Sequence, residues 1–193
     1  MRLTNLVASL AAVGLSACAS PPPPGPTSVL EAQPIVLPGS GWDAADIDAA
    51  LAGAREQMGL CGIALQSRNA IRAAESLAAD WPLDGREHER ARMIAPDEPV
   101  ATILFARVIA DGSDEPAIEG RTLLPPAPPF VILAEAGGAG ALAHELGHIL
   151  GLGHAPRYAI DRMAPNGCRF CEFTDRQCRT MRRSPLLAPI RNS

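Results

Sequence analysis

The chain has 193 residues, of which 47% are hydrophobic, 20% charged and 4% aromatic, with a formal net charge of −4. That length supplies one ordinary domain with short extensions, and the composition is that of a globular protein. All 17 basic residues are arginine, and the acidic balance argues against a general nucleic-acid binder. The one long apolar run, residues 6–15, is too short for a bilayer span of about 20 residues, which excludes a polytopic membrane protein.

Arg2, the apolar run and the small residues that follow have the layout of an export signal. The ending Leu15-Ser16-Ala17-Cys18 resembles the bacterial lipobox, which is cleaved just before its cysteine. The resemblance implies lipidation of Cys18 and attachment to the membrane through its acyl chains. The residue behind it is Ala19, not the aspartate that tends to retain lipoproteins at the inner membrane. The expected location is therefore the outer membrane, facing the periplasm or the surface. Residues 21–26 are five prolines and a glycine, which favour an extended, stiff tether. The expected organisation is a signal over residues 1–17, Cys18 and a tether through residue 32, and one monomeric domain over 33–193.

Residues 33–37 read as a short first strand. From Trp42 to Met58, Ile47, Leu51 and Ala54 recur at helical spacing, with Asp43 and Asp46 near the positive end of the helix dipole and Gly59 as its stop. Residues 60–65 read as a strand, and residues 68–94 as helical pieces broken by Pro82 and Gly85. Residues 100–109 form the clearest strand, rich in apolar and β-branched side chains. A polar loop at 111–115 leads to a possible strand over 117–124, and prolines at 125–129 separate it from another over 130–133. Behind Gly137, Gly138 and Gly140 a helix is predicted through His144 and His148. This pattern predicts an α+β domain of the three-layer α/β type. A small, mixed, twisted sheet is packed by two long helices and followed by an irregular Cys-rich tail.

Beyond Cys18, four cysteines remain: Cys61, Cys168, Cys171 and Cys178. An even number in an exported domain predicts two disulfides with three possible connectivities. A Cys168–Cys171 bond would close a tight loop, so Cys61 is expected to bond into the C-terminal cluster. A structural zinc on Cys168, Cys171 and Cys178 is the alternative, and it needs reduced thiols and a fourth ligand.

The strongest signal is Ala143-His144-Glu145-Leu146-Gly147-His148-Ile149-Leu150-Gly151-Leu152-Gly153-His154. Four residues apart on a helix, His144 and His148 share one face, as two imidazoles must to reach one metal ion. Leu142, Leu146 and Ile149 fall on the opposite side. Gly151 permits a sharp exit from the helix, so that His154 returns to the same ion. Three neutral imidazoles and a water make a tetrahedral zinc site with an open, catalytic position. Glu145, beside the first ligand, is placed to act as the base for that water.

His-Glu-x-x-His-x-x-Gly-x-x-His followed by a methionine turn is the signature of the metzincin clan of zinc metallopeptidases, which this stretch resembles. The methionine would be Met163, in Asp161-Arg162-Met163-Ala164-Pro165. Residues 148–154 look most like the matrixin branch, although Ala155 stands where that branch usually has serine. The cysteines do not match the second zinc site of archaemetzincins. The resemblance covers residues 33–183, with motif-specific residues at 144–165. It implies one catalytic zinc on His144, His148 and His154, with peptide-bond hydrolysis and Glu145 as base. It also implies that an edge strand, here over 117–124, pairs with an extended protein or peptide substrate. A zinc-containing envelope binding protein without hydrolysis is the alternative, and it would have no use for Glu145.

Other residues carry weaker signals. Tyr158 reads as a surface or packing tyrosine, residues 111–115 as a solvated acidic loop without EF-hand spacing, and His88 as exposed within a charged run. Residues 157–193 hold eight arginines against three acids, a solvated or anion-facing tail.

Overall fold

A computed structural model describes residues 25–98, 100–110, 118–125, 128–156, 161–164 and 171–190. Cys18 and the start of the proline tether, residues 111–117, Tyr158 and Cys168 lie outside the described residues.

The centre of the fold is a mixed sheet whose main path runs β2-β1-β5-β8-β7. Its strands are β1 (Ser28–Val36), β2 (Ile63–Ser67), β5 (Ala101–Ala106), β7 (Gly120–Leu123) and β8 (Phe130–Ala134). Two short strands, β3 (Ile71–Arg72) and β9 (Ala188–Pro189), also pair with β1. β1, β2, β5 and β8 are parallel, in registers such as Ile35 with Leu104 and Leu104 with Ile132. Parallel strands are buried on both faces, which is why β5 and β8 are continuous apolar runs. β7 breaks the pattern. It is antiparallel to β8 and closes the sheet as an edge strand.

Strand alternation deals the side chains to two cores. Leu30, Ala32, Ile103, Phe105, Val131 and Leu133 face the helices α1 (Ala44–Leu60) and α3 (Ala139–Ile149). Ile35, Leu104, Phe130 and Ile132 face the other way, toward α2 (Glu87–Ile94) and the small sheet of β4 (Trp81–Pro82) and β6 (Ile109–Ala110). On that side Trp81 stacks on Phe130 at 5.7 Å between ring centroids. The three layers and the two principal helices agree with the sequence expectation.

The Asp43 carboxylate caps α1 by accepting from the Asp46 amide at 2.9 Å. The helix then buries Ile47, Ala50, Leu51, Ala54 and Met58. It outlasts the predicted stop at Gly59 and ends only before Gly62. Gly53 lies against Ala139, so the two helices approach closely where a side chain would force them apart.

Several expected boundaries move. β1 begins at Ser28, not residue 33, because β9 and β2 supply partners to residues that the sequence assigned to the tether. Within residues 68–94, expected to be helical pieces, only α2 is helical. Ile71–Arg72 and Trp81–Pro82 are instead drawn into strand pairing with β1 and β6. Helix propensity there loses to available backbone partners. The C-terminal tail is less irregular than expected. It contains α4 (Asp175–Met181), started by a full capping box between Thr174 and Gln177, and then β9.

Cys61 is bonded to Cys178, across 117 residues of sequence. Cys171 is also disulfide-bonded. With both cysteines oxidised, the alternative of a structural zinc on Cys168, Cys171 and Cys178 is set aside. The Cys61–Cys178 bond staples the α1–β2 turn to α4, and the Arg182 guanidinium adds a hydrogen bond to the Cys61 carbonyl at 2.9 Å. Closing so long a loop restricts the unfolded chain. Replacing both cysteines with alanine is expected to cost about 2–5 kcal/mol in urea unfolding; a loss below about 1 kcal/mol would show that α4 docks without the bond.

Candidate metal centre

The sequence builds this centre on α3. Leu142, Ala143 and Leu146 are buried in the core beneath the helix and fix its rotation about its own axis. Fixing that rotation turns His144 and His148 toward a common point. Beyond Leu150 the chain reverses at Gly151, whose φ of +97° is in the region open to glycine. The amides of Gly151 and Leu152 donate to the carbonyls of His148 and Gly147, both at 3.0 Å. The Ala155 amide then donates to the Met163 carbonyl at 2.8 Å, which fixes the segment carrying His154.

The outcome is convergence. His148 Nε2 lies 3.1 Å from His144 Nε2 and 3.1 Å from His154 Nε2. Each histidine offers one ligand nitrogen, and all three lie within 4.8 Å of one another. Tetrahedral zinc with Zn–N bonds of 2.0–2.1 Å sets its ligand nitrogens about 3.3 Å apart. The donor set fits such an ion.

Two hydrogen bonds select the tautomers. His144 Nδ1 donates to the Arg162 carbonyl and His148 Nδ1 to the Leu152 carbonyl, each at 2.8 Å. A carbonyl only accepts, so each Nδ1 carries the hydrogen and each Nε2 presents a lone pair. Burial then favours the neutral form of His148 and of His154. It pushes His148 down to about 4, helped by the charges of His144 and His154 against the bond to Leu152. It also lowers His154, with the charge of His144 adding to the effect. Both shifts leave uncharged ligands at neutral pH.

Met163 is wholly buried beneath the helix turn between the two helical ligands. A methyl group on Gly147 would stand 2.8 Å from Met163 Sδ and 3.2 Å from Phe173, so the absence of a side chain there admits the sulfur. The turn is tied down at both ends. The Asp161 carboxylate accepts from the Met163 amide at 2.8 Å and from Gln177 Nε2 at 3.2 Å, which links it to α4.

Glu145 is only 7% exposed and stands outside the three-nitrogen cluster. Its carboxylate reaches β7, where Thr122 Oγ1 donates to Oε2 at 2.6 Å and lies 3.0 Å from the Glu145 carbonyl. Burial pushes its carboxyl above the usual range, against the Thr122 hydrogen bond and the charges of His144 and Arg121. Beside His148 opens a cavity of about 490 Å³ with apolar walls that include Leu123, Pro129, Ile149, Leu150 and Leu186, and with Arg183 on its lining.

The structure thus brings together His144, His148 and His154, sets Met163 beneath them and places Glu145 against the edge strand. His88 is a correction. It is half-buried, not exposed, with Nε2 3.2 Å from the carbonyl of Leu124, the residue after β7. Sequence reasoning did not find Thr122, the two orienting carbonyls or the cavity wall contributed by Leu186.

The buried neutral state of His148 has a consequence for the metal-free protein. Unfolded, the ring takes its proton near pH 6.5; folded, it does so only near pH 4. Between those values the unfolded chain binds more protons, so stability falls as pH falls. The chelator-treated wild type should lose more stability between pH 7 and pH 5 than a His148→Gln variant. Equal losses in urea unfolding would contradict a buried neutral His148.

No protein-family model matches the chain, and no curated protein matches it in sequence. Solved structures do match in shape. Metalloproteinase-II from Bacteroides fragilis superposes with a TM-score of 0.56 at 15% identity, over 83% of this chain. The chain spans only 54% of that enzyme's length. Mirolysin, in complex with compound 9, superposes with a TM-score of 0.53 at 14% identity, over 81% of this chain and 91% of its own. The fold of this chain is therefore that of metalloproteinases, with a three-histidine centre suited to a metal ion.

Proposed function

We propose that the chain is a zinc endopeptidase that cleaves protein or peptide substrates, with zinc on His144, His148 and His154 and with Glu145 as general base. The observation that carries this reading is the convergence of three Nε2 atoms, two of them 3.1 Å from His148 Nε2, with a buried carboxylate on the next residue of the same helix. When bound, zinc supplies a Lewis acid that polarises a carbonyl and makes water more acidic.

The remaining work falls to the chain. Glu145 takes a proton from the attacking water and returns it to the departing amine. Burial raises its pKa, which favours taking the proton from the water. Among the described residues no strand pairs with the outer edge of β7. That edge offers main-chain donors and acceptors to an extended substrate, and the apolar cavity beside His148 takes one bulky side chain. Met163 and Phe173 support the ligand helix from below.

The proposal includes location. Residues 1–17 act as a signal, Cys18 carries the lipid, and the proline-rich segment holds the domain off the membrane at the cell envelope, with the outer membrane preferred. Among the described residues no helix is long and apolar enough to cross a membrane.

The test is cleavage of a diverse peptide library by zinc-loaded protein beside a Glu145→Gln variant. The wild type is expected to cut, with a bulky apolar residue next to the scissile bond, and the variant to lose at least about 100-fold in rate with its zinc retained. Bound zinc without cleavage by either protein would favour a non-hydrolytic binding role.

A further inference from the structure

β7 faces in two directions. Its outer edge is the strand position open to a substrate, while two residues on one of its faces, Gly120 and Thr122, meet Glu145 of the underlying helix. A methyl group on Gly120 would stand 2.8 Å from Glu145 Cγ and 3.1 Å from Oε1. Gly120 therefore leaves the space that the Glu145 side chain fills. Two residues along the same face, Thr122 supplies the polar contact at 2.6 Å to Oε2.

Proton accounting fixes the direction of that contact. A threonine hydroxyl has one hydrogen and here faces two acceptors, the Glu145 carboxylate at 2.6 Å and the Glu145 carbonyl at 3.0 Å. That carbonyl lies inside α3, where the helix ladder already provides it with a donor. The carboxylate is the shorter and more strongly accepting partner, so the hydrogen goes to Oε2. One carboxylate oxygen is thereby committed, and rotation about the last bonds of the Glu145 side chain is restrained. Oε1 remains for other work.

We infer that Thr122 and Gly120 form a seat on the edge strand that positions the Glu145 carboxylate for proton transfer. Thr122 is a positioning residue acting through Glu145. The inference rests on the peptidase reading and adds to it a link between two parts of the site. The strand that registers the substrate and the base that serves the scissile bond are fastened to each other by the Thr122 hydrogen bond. A base held in this way keeps its distance to the substrate backbone when the two elements move together. A displacement of about 1 Å in such a group can cost about 100-fold in rate.

The experiment compares Thr122→Val, Thr122→Ser and Gly120→Ala with the wild type for kcat and KM on a peptide that the wild type cleaves. Zinc content and melting temperature are measured for each. Thr122→Val keeps the size of threonine and the main-chain edge but removes the hydroxyl. It is expected to lower kcat by about 10- to 100-fold with KM within about twofold. Thr122→Ser restores the hydroxyl and should recover most of the rate. Gly120→Ala places a methyl against Glu145 Cγ and should lower kcat by a route independent of the hydrogen bond, so poor folding of Thr122→Val leaves a second test. A kcat for Thr122→Val within about threefold of wild type, with zinc bound, would overturn the inference, as would a Thr122→Ser variant as slow as Thr122→Val. If the zinc-loaded wild type cleaves nothing, the peptidase reading fails, and crystal structures then decide the seat alone. A Glu145 carboxylate that moves in Thr122→Val supports the seat, and one that stays in place overturns it.

Discussion

Three imidazole lone pairs directed at one point repel one another unless a cation lies between them, and most of this fold serves to hold that arrangement. His144 and His148 cannot relax by turning their rings, because their Nδ1 hydrogens are committed to the carbonyls of Arg162 and Leu152. Those carbonyls belong to two different segments, the turn before Met163 and the loop after Gly151. The centre therefore records the position of the helix, its exit and the Met163 turn at once. A metal ion there would join all three and stabilise the folded form in proportion to its preference for that form.

The supports of the centre lead outward through the core. α3 rests on the sheet and against α1 at the Gly53–Ala139 contact. The Met163 turn is linked through Asp161 and Gln177 to α4, and α4 is bonded through Cys178 to Cys61 at the far end of α1. α1 is thus joined to α3 by packing and to α4 by a covalent bond. β9 completes the circuit by returning the chain to β1, with the Ile190 amide donating to the Thr27 carbonyl at 3.2 Å.

Local geometry was readable from the sequence and distant pairing was not. The i, i+4 spacing of His144 and His148, followed by Gly151 and His154, fixes directions within a few turns of backbone, so the donor set could be named from residue types alone. The edge strand was legible because Pro116 and Pro125 bracket a short segment ending in Thr122-Leu123-Leu124. Residues 68–94 misled because their alanine- and arginine-rich composition favours helix, while Ile71 and Trp81 have strand partners that are distant in sequence. β9 and the Ser28 end of β1 were missed for the same reason, since their partners in β1, β2 and β9 are distant in sequence. The pairing of Cys61 with Cys178 was one of three connectivities until the fold placed α4 beside the end of α1. Thr122 gave almost no signal, because its role depends on a helix residue 23 positions later.

X-ray absorption at the zinc edge of the purified, metal-loaded protein tests the centre most directly. One zinc per chain, surrounded by three imidazole nitrogens and a further light atom at about 2.0–2.1 Å, is the predicted result. A sulfur neighbour at about 2.3 Å, or fewer than three imidazoles, would contradict the assignment of His144, His148 and His154 as its ligands.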